Sequence, residues 1–173
     1  EPGVHTYQIY ETSADADGII CSTERYTVKV TVSYSEENKK LTADAAYTDK
    51  DGKTVDGAVF ENTYSASGKA KFSVTKNYKQ VLSSAAFMFK LTATDKDHNA
   101  LTGSDAYTDA VTVTTMNGTG AAAFKEIKYT SAGTYYYTIE ELAGSESYIA
   151  YDSVPQHLTV AVTDDQKGHL NAD

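Results

Sequence analysis

Gly133-Thr-Tyr-Tyr-Tyr-Thr-Ile-Glu-Glu141 is the stretch whose reading decides the fold. Taken with a period of two, Tyr135, Tyr137, Ile139 and Glu141 share one face, and Thr134, Tyr136, Thr138 and Glu140 share the other. The first face is apolar until its last member, a carboxylic acid. Burying such a charge without a partner costs several kcal/mol or more, so an acid closing a core-facing stripe calls for a reason. The pattern also opens the chain, as Gly3, His5, Tyr7, Ile9 and Glu11. The spacing is the same and the two glutamates lie 130 residues apart, so the chain holds a repeat that carries an inward acid.

The rest of the composition agrees with strands. Tyr and Thr are plentiful, Trp is absent and Pro occurs twice among 173 residues, a length that accommodates one or two domains. No apolar run approaches a membrane span. A net charge of -9 disfavours nucleic acid and anionic membranes as partners. Cys21 is the single cysteine, which rules out an internal disulfide. Acidic, cysteine-poor, Tyr/Thr-rich chains fit the outside of a Gram-positive cell. With no signal peptide or sorting signal visible, a secreted protein of this kind is expected to be longer than this segment.

Further strands follow by alternation. Tyr26, Val28, Val30, Val32 and Tyr34 alternate with polar residues, residues 41–48 form a short strand, and Asp49-Lys-Asp-Gly52 closes a hairpin. In Val59-Phe-Glu-Asn-Thr-Tyr64, one face is Phe60, Asn62 and Tyr64, which sets an asparagine between two aromatics. Ser65-Ala-Ser-Gly68 reads as the domain boundary. Beyond it, Phe72, Val74, Lys76 and Tyr78 share a face, with a lysine among apolar neighbours. Phe87, Phe89 and Leu91 form the next inward stripe, residues 94–108 read as loop, and Asn117-Gly118 marks a hairpin. Leu158, Val160 and Val162 echo Tyr26, Val28 and Val30; Ile149-Ala-Tyr-Asp152 echoes Ile19-Ile-Cys-Ser22; Leu170-Asn-Ala-Asp173 echoes Leu41-Thr-Ala-Asp44. No window carries a sustained helical period. The fold class is therefore all-β, with short strands and regular turns that suggest sandwiches.

Lys76, Glu141 and Asn62 each interrupt an apolar face. Singly, such a residue reads as a strand end reaching water. Together they suggest chemistry. Desolvation disfavours charge, and a neutral amine is a nucleophile. An asparagine offers an amide carbon as electrophile. A protonated glutamate polarises that carbonyl and carries protons to the departing ammonia. The product is a Lys–Asn amide made without another enzyme.

These motifs in order resemble a known family. Phe72-Ser-Val-Thr-Lys76, Phe87-x-Phe-x-Leu91, Gly120-x-x-x-Phe124-x-x-Ile-x-Tyr129 and Gly133 through Glu141 resemble the isopeptide-linkage domain of Gram-positive pilins. Phe60-Glu-Asn-Thr-Tyr64 is similar to that family's terminal strand, which carries the bonding asparagine. The resemblance covers nearly the whole chain. It implies tandem immunoglobulin-like β-sandwiches of the collagen-adhesin B type. It implies Lys76 as linking amine, Asn62 as linking amide, and Glu11 and Glu141 as catalytic acids. It also implies a structural segment of a pilus or cell-wall surface protein, extracellular and assembled by sortase with neighbouring pilin or adhesin domains. The chemistry would be internal and single-turnover, without cofactor, rather than that of an enzyme.

The spacing departs from one complete domain. Asn62 lies 51 residues after Glu11, and the same interval after Glu141 falls near position 192; Lys76 lies 65 residues before Glu141, and the same interval before Glu11 falls before residue 1. Residues 1–66 therefore read as the C-terminal part of one sandwich. Residues 67–173 read as a second sandwich lacking its last strand. Asn62 and Lys76 then belong to different domains, with partners outside the segment. Alternatively, the Phe60–Tyr64 strand of a neighbouring chain completes the sandwich in trans.

Other signals read as structural. The Asp-x-Asp pairs at 15, 49 and 95 lack the oxygen set of a calcium loop and fit turns, and the histidines lack metal-ligand spacing, so no metal is expected. Cys21, aligned with Tyr151, reads as a small buried residue rather than a reactive thiol. Tyr135 and Tyr137 read as core. The rival function is a host-protein- or carbohydrate-binding adhesin module, its ligand met by outward loops such as 94–108.

Overall fold

The computed structural model describes residues 1–79 and 84–173, and all statements of architecture refer to them. The chain divides into two compact units, Glu1–Ser65 and Ala66–Asp173. Both are built from antiparallel strands, with one short 3-10 turn at Gly103–Asp105.

In unit 1, β1 (Gly3–Tyr10), β3 (Arg25–Ser35), β4 (Lys40–Thr48) and β5 (Thr54–Val55) form one sheet in that order, while β2 (Ile19–Ile20) pairs with β6 (Thr63–Tyr64). In unit 2 the strands are β7 (Gly68–Ala70), β8 (Ser73–Asn77), β9 (Ser84–Thr94), β10 (Thr108–Met116), β11 (Thr119–Ala123), β12 (Ile127–Tyr129), β13 (Gly133–Leu142), β14 (Gln156–Asp164) and β15 (Leu170–Ala172). The main sheet runs β15-β14-β13-β9-β10-β11-β8. The β12–β7 pair joins its β15 end through a parallel bridge between Ser67 and His169.

Local chemistry fixes the turns. Asn117 and Gly118 both have positive φ, at 53° and 89°, so the β10–β11 hairpin uses the mirror-image turn that matches strand twist. Gly3 and Gly133, which open the two repeats, have φ of +145° and +159°, a region that side chains avoid. The Asp-x-Asp turns use their carboxylates on main-chain donors: Asp49 accepts from the N–H groups of Asp51 and Lys53, and Asp95 from those of Asp97 and Asn99.

Three strands separate β8 from β13 in the sheet order, yet the two meet face to face. The Phe72 ring lies 5.3 Å from that of Tyr137, and Lys76 touches Glu141. Both pairs are 65 residues apart in sequence, so the segment 72–76 runs alongside 137–141 in the same direction. The sheet thus rolls over itself and encloses a core in which Phe87, Leu91, Val113 and Phe124 are almost wholly shielded from solvent. Tyr137, Ile139, Val160 and Val162 complete it from the β13–β14 side.

The repeat is visible as register. Gly3 pairs with Val32 and Tyr7 with Val28; Gly133 pairs with Val162 and Tyr137 with Leu158, the same partners displaced by 130. Burial differs sharply. Tyr137 and Ile139 are 3% and 8% exposed, whereas Tyr7 and Ile9 are 56% and 38% exposed. This corrects the reading of the first stripe as core. In unit 2, β13 has β9 as its second neighbour and β8 across its face; in unit 1, β1 pairs with β3 only. The expected Phe60–Tyr64 strand is corrected as well, since only Thr63–Tyr64 is strand. Phe60 instead packs edge-on against Tyr26, with centroids 5.4 Å apart.

Two predictions follow from this contrast. Leu91→Ala should destabilise unit 2 by about 2–5 kcal/mol, whereas Tyr7→Ala should cost unit 1 about 1 kcal/mol or less, measured by denaturant unfolding. The second concerns the hydroxyls of Tyr129 and Tyr137, which meet at 3.0 Å in the interior. Burial pushes the pKa of both phenols up, Tyr137 most strongly. Because their folded values lie above the unfolded ones, their contribution is intact below about pH 10 and falls away as pH rises beyond it. Melting of unit 2 should therefore drop between pH 9 and pH 11 by more than in Tyr137→Phe, with both tracked by circular dichroism.

Candidate functional site

Unit 2 brings two of the singled-out residues into contact. Alternation on β8 turns Val74 and Lys76 toward the interior and Ser73, Thr75 and Asn77 outward. Alternation on β13 carries Glu141 inward below Tyr137 and Ile139. Lys76 Nζ donates to Glu141 Oε2 at 2.6 Å, with the two side chains 14% and 3% exposed. The ammonium also lies 4.8 Å from the centroid of the Phe87 ring, whose π face favours a cation. The sequence reading placed Phe87 in the core but did not foresee its contact with the lysine.

The second oxygen of this carboxylate is the informative one. Glu141 Oε1 is buried and has no hydrogen-bond partner among the described residues. A desolvated carboxylate oxygen without a donor is costly, so this atom marks a place for a hydrogen-bonding group. β8 is also the edge strand of its sheet, with β11 on its one paired side.

Unit 1 holds the complementary arrangement around the repeated glutamate. Asn62 Nδ2 donates to Glu11 Oε1 at 3.0 Å. The main-chain N–H of Ser22 donates to Asn62 Oδ1 at 2.8 Å and to Glu11 Oε2 at 3.2 Å. Asn62 is exposed and Glu11 half-buried. The structure therefore joins Lys76 to Glu141 and Asn62 to Glu11, each pair within its own unit. One glutamate meets an amine, and the glutamate 130 residues before it meets a carboxamide.

Sequence reasoning missed Ser22. Its role is carried by a backbone N–H, which leaves no residue-type signature; the echo of Ile19-Ile-Cys-Ser22 in Ile149-Ala-Tyr-Asp152 was the available pointer. The reading of Cys21 as buried is corrected: it is half-buried, on the irregular segment after β2, where its main-chain N–H donates to the exposed Asp15 carboxylate at 2.8 Å. Its pKa is nonetheless pushed up, by desolvation first and then by the carboxylates of Glu11 and Asp15, which disfavours the reactive thiolate.

The contrast between the buried pair and a surface pair is testable. Glu141→Ala would leave the Lys76 ammonium shielded and unpaired, and should destabilise unit 2 by about 3–5 kcal/mol. Glu140→Ala breaks the neighbouring exposed pair with Lys90, held at 3.7 Å, and should cost about 1 kcal/mol or less. Chemical denaturation of the two variants makes the comparison.

Comparison with known families places the chain beside a described family. The family described as Spy0128-like isopeptide containing domain (FctA) matches residues 1–65 and 72–173. No curated protein matches the chain.

Proposed function

The chain belongs to the Spy0128-like isopeptide-containing domain family, and from that premise we propose that it is a load-bearing segment of a Gram-positive pilus or cell-wall surface protein, stabilised by self-formed Lys–Asn bonds. The observation that carries this reading is the Lys76–Glu141 contact, with one carboxylate oxygen engaged and the other buried and unpartnered. Unit 1 supports an asparagine as the missing partner, because a carboxylate oxygen of the repeated glutamate, Glu11, accepts from the Asn62 carboxamide.

The chemistry is internal and single-turnover. A proton passes from Lys76 Nζ to Glu141 across the 2.6 Å contact, leaving a neutral amine beside a neutral acid. The amine adds to the amide carbon of an asparagine seated against Glu141. Glu141 returns that proton to the amide nitrogen and takes the second proton from the linking nitrogen, the carbon–nitrogen bond breaks, and the departing ammonia carries the second proton away as ammonium while the Lys–Asn amide forms. No cofactor enters the balance. By this reading, residues 1–66 are the C-terminal part of one sandwich, with Asn62 its linking amide and Glu11 its acid. Residues 67–173 are the next sandwich, completed by an asparagine-bearing strand along the open edge of β8. That strand comes from the continuing polypeptide or from a neighbouring chain.

The function follows from mechanics. A tie between the first and last strands keeps a sandwich from extending under tension. By the chain-entropy argument used for disulfides, closing a loop of about 100 residues stabilises by roughly 4–5 kcal/mol. Resistance to pulling and proteolysis is a kinetic property, and a bond that must break before the strands separate acts on it directly. Surface location, sortase assembly and neighbouring pilin or adhesin domains as partners belong to the same proposal.

A synthetic peptide of residues 57–66, mixed with the chain, supplies the asparagine strand in trans. The expected product has the summed mass less ammonia, about 17 Da, with the bond mapped to Lys76. It should be absent with Glu141→Ala and with a peptide carrying Asn62→Ala. A mixture that stays unlinked, or links equally well without Glu141, contradicts the proposal.

A further inference from the structure

At the Gly133 end of β13, a cavity of about 550 Å³ opens within unit 2. The loop 101–107 contributes one wall and is anchored to β9. The Leu101 N–H donates to the Ala93 carbonyl at 3.0 Å, and the Ala93 N–H donates to that of Tyr107 at 2.9 Å. Tyr107, Tyr129, Tyr135, Tyr136 and Tyr137 supply aromatic surface. Three of these rings are held in place. The centroids of Tyr129 and Tyr135 are 4.7 Å apart, the hydroxyls of Tyr129 and Tyr137 meet at 3.0 Å, and the Tyr135 hydroxyl donates to the Ser131 carbonyl at 2.9 Å. Glu141 lies toward the other end of β13, so the linkage chemistry makes no use of this space.

Two polar residues of this lining lack partners. Thr94 is 4% exposed, and its Oγ1 has no hydrogen-bond partner among the described residues. The buried hydroxyl of Tyr107 is in the same state. Leaving such groups unpaired is costly, so each marks a place for a hydrogen-bonding atom of a guest. Ser104 and Thr134 add further hydroxyls. Burial pushes the pKa of the Tyr107, Tyr129 and Tyr137 phenols up, which keeps them neutral and able to donate. Asp105 and Lys128 bring one exposed charge of each sign, which favours a guest without net charge. A purely apolar guest would leave the Thr94 and Tyr107 hydroxyls unsatisfied. The lining therefore suits a ring with C–H faces for the tyrosines and hydroxyls around its edge.

Going beyond the linkage reading, we propose that this cavity binds a neutral hexopyranose unit of a glycan, with tyrosine rings against the sugar's C–H faces and the hydroxyls of Thr94 and Tyr107 bonded to its substituents. The cavity has the size and the mixed aromatic and polar lining of small-molecule sites. It is formed by residues of unit 2 alone.

The probes are the methyl β-glycosides of glucose, galactose, mannose and N-acetylglucosamine, each titrated to about 20 mM into the isotope-labelled full chain and followed by NMR. At least one should shift the amide signals of the cavity lining, with a Kd of about 1–10 mM, as a ligand of about a dozen heavy atoms allows. Thr94→Val and Tyr107→Phe keep the shape and delete the hydroxyl. Each should weaken that binding about three- to tenfold while the melting temperature stays the same or rises, because the hydroxyl has no partner to lose. Ser104→Trp, at an exposed position of the 3-10 turn, should abolish binding by filling the cavity, and it decides the matter if the other two variants misfold by circular dichroism. No shift with any glycoside, shifts confined to residues outside the cavity, or equal binding in the variants overturns the proposal. So does a decaproline peptide that occupies the cavity while the sugars do not, since that would make it a peptide groove. The linkage reading is tested separately by the Lys76–peptide bond: a chain that links the peptide and ignores the glycosides sinks the sugar site alone, and the reverse result sinks the linkage alone.

Discussion

A single buried ion pair sets the terms for unit 2. Lys76 and Glu141 sit on strands that lie far apart in the sheet order, so they meet only because the sheet closes over its own core. Neither group tolerates that position alone, since an unpaired charge in a shielded site costs several kcal/mol. Pairing reduces the penalty but leaves it incomplete, because one glutamate oxygen remains unpartnered. Hydrophobic residues of similar volume would pack there without such a cost. A polar pair in this place is therefore poorly explained by stability alone.

The two units show one sequence pattern in two settings. The β1–β3 and β13–β14 pairs share register to the residue, and both stripes end on a glutamate. In unit 2 the stripe has a layer across from it and is buried. In unit 1 the same stripe lies open. Strand formation follows from local alternation and turn chemistry, whereas burial depends on what stands opposite. The glutamates follow the same division. Each is placed by the pattern, and the group that each meets is placed by tertiary context.

Much of this was legible in the sequence, for a physical reason. A period of two assigns faces without knowledge of the fold, so an acid, an amine and a carboxamide among apolar neighbours stood out as Glu141, Lys76 and Asn62. The Asp-Gly and Asn-Gly turns and the all-β class could be read in the same way. Three things could not. Tyr7 and Ile9 looked like core, because alternation cannot say whether an opposing layer exists. Residues 59–62 looked like strand, because propensity cannot say whether a pairing edge is at hand. The Ser22 N–H was invisible, because every residue but proline has one and only geometry makes this one matter.

The central claim is that Lys76 and Glu141 are coupled in a dry interior. A double-mutant cycle measures that coupling directly, using Lys76→Met, Glu141→Gln and the double variant, each unfolded by denaturant. The account predicts that the double variant is more stable than the two single losses imply, by about 2 kcal/mol or more. Losses that add to within about 0.5 kcal/mol would mean that the two groups act independently, and would contradict it.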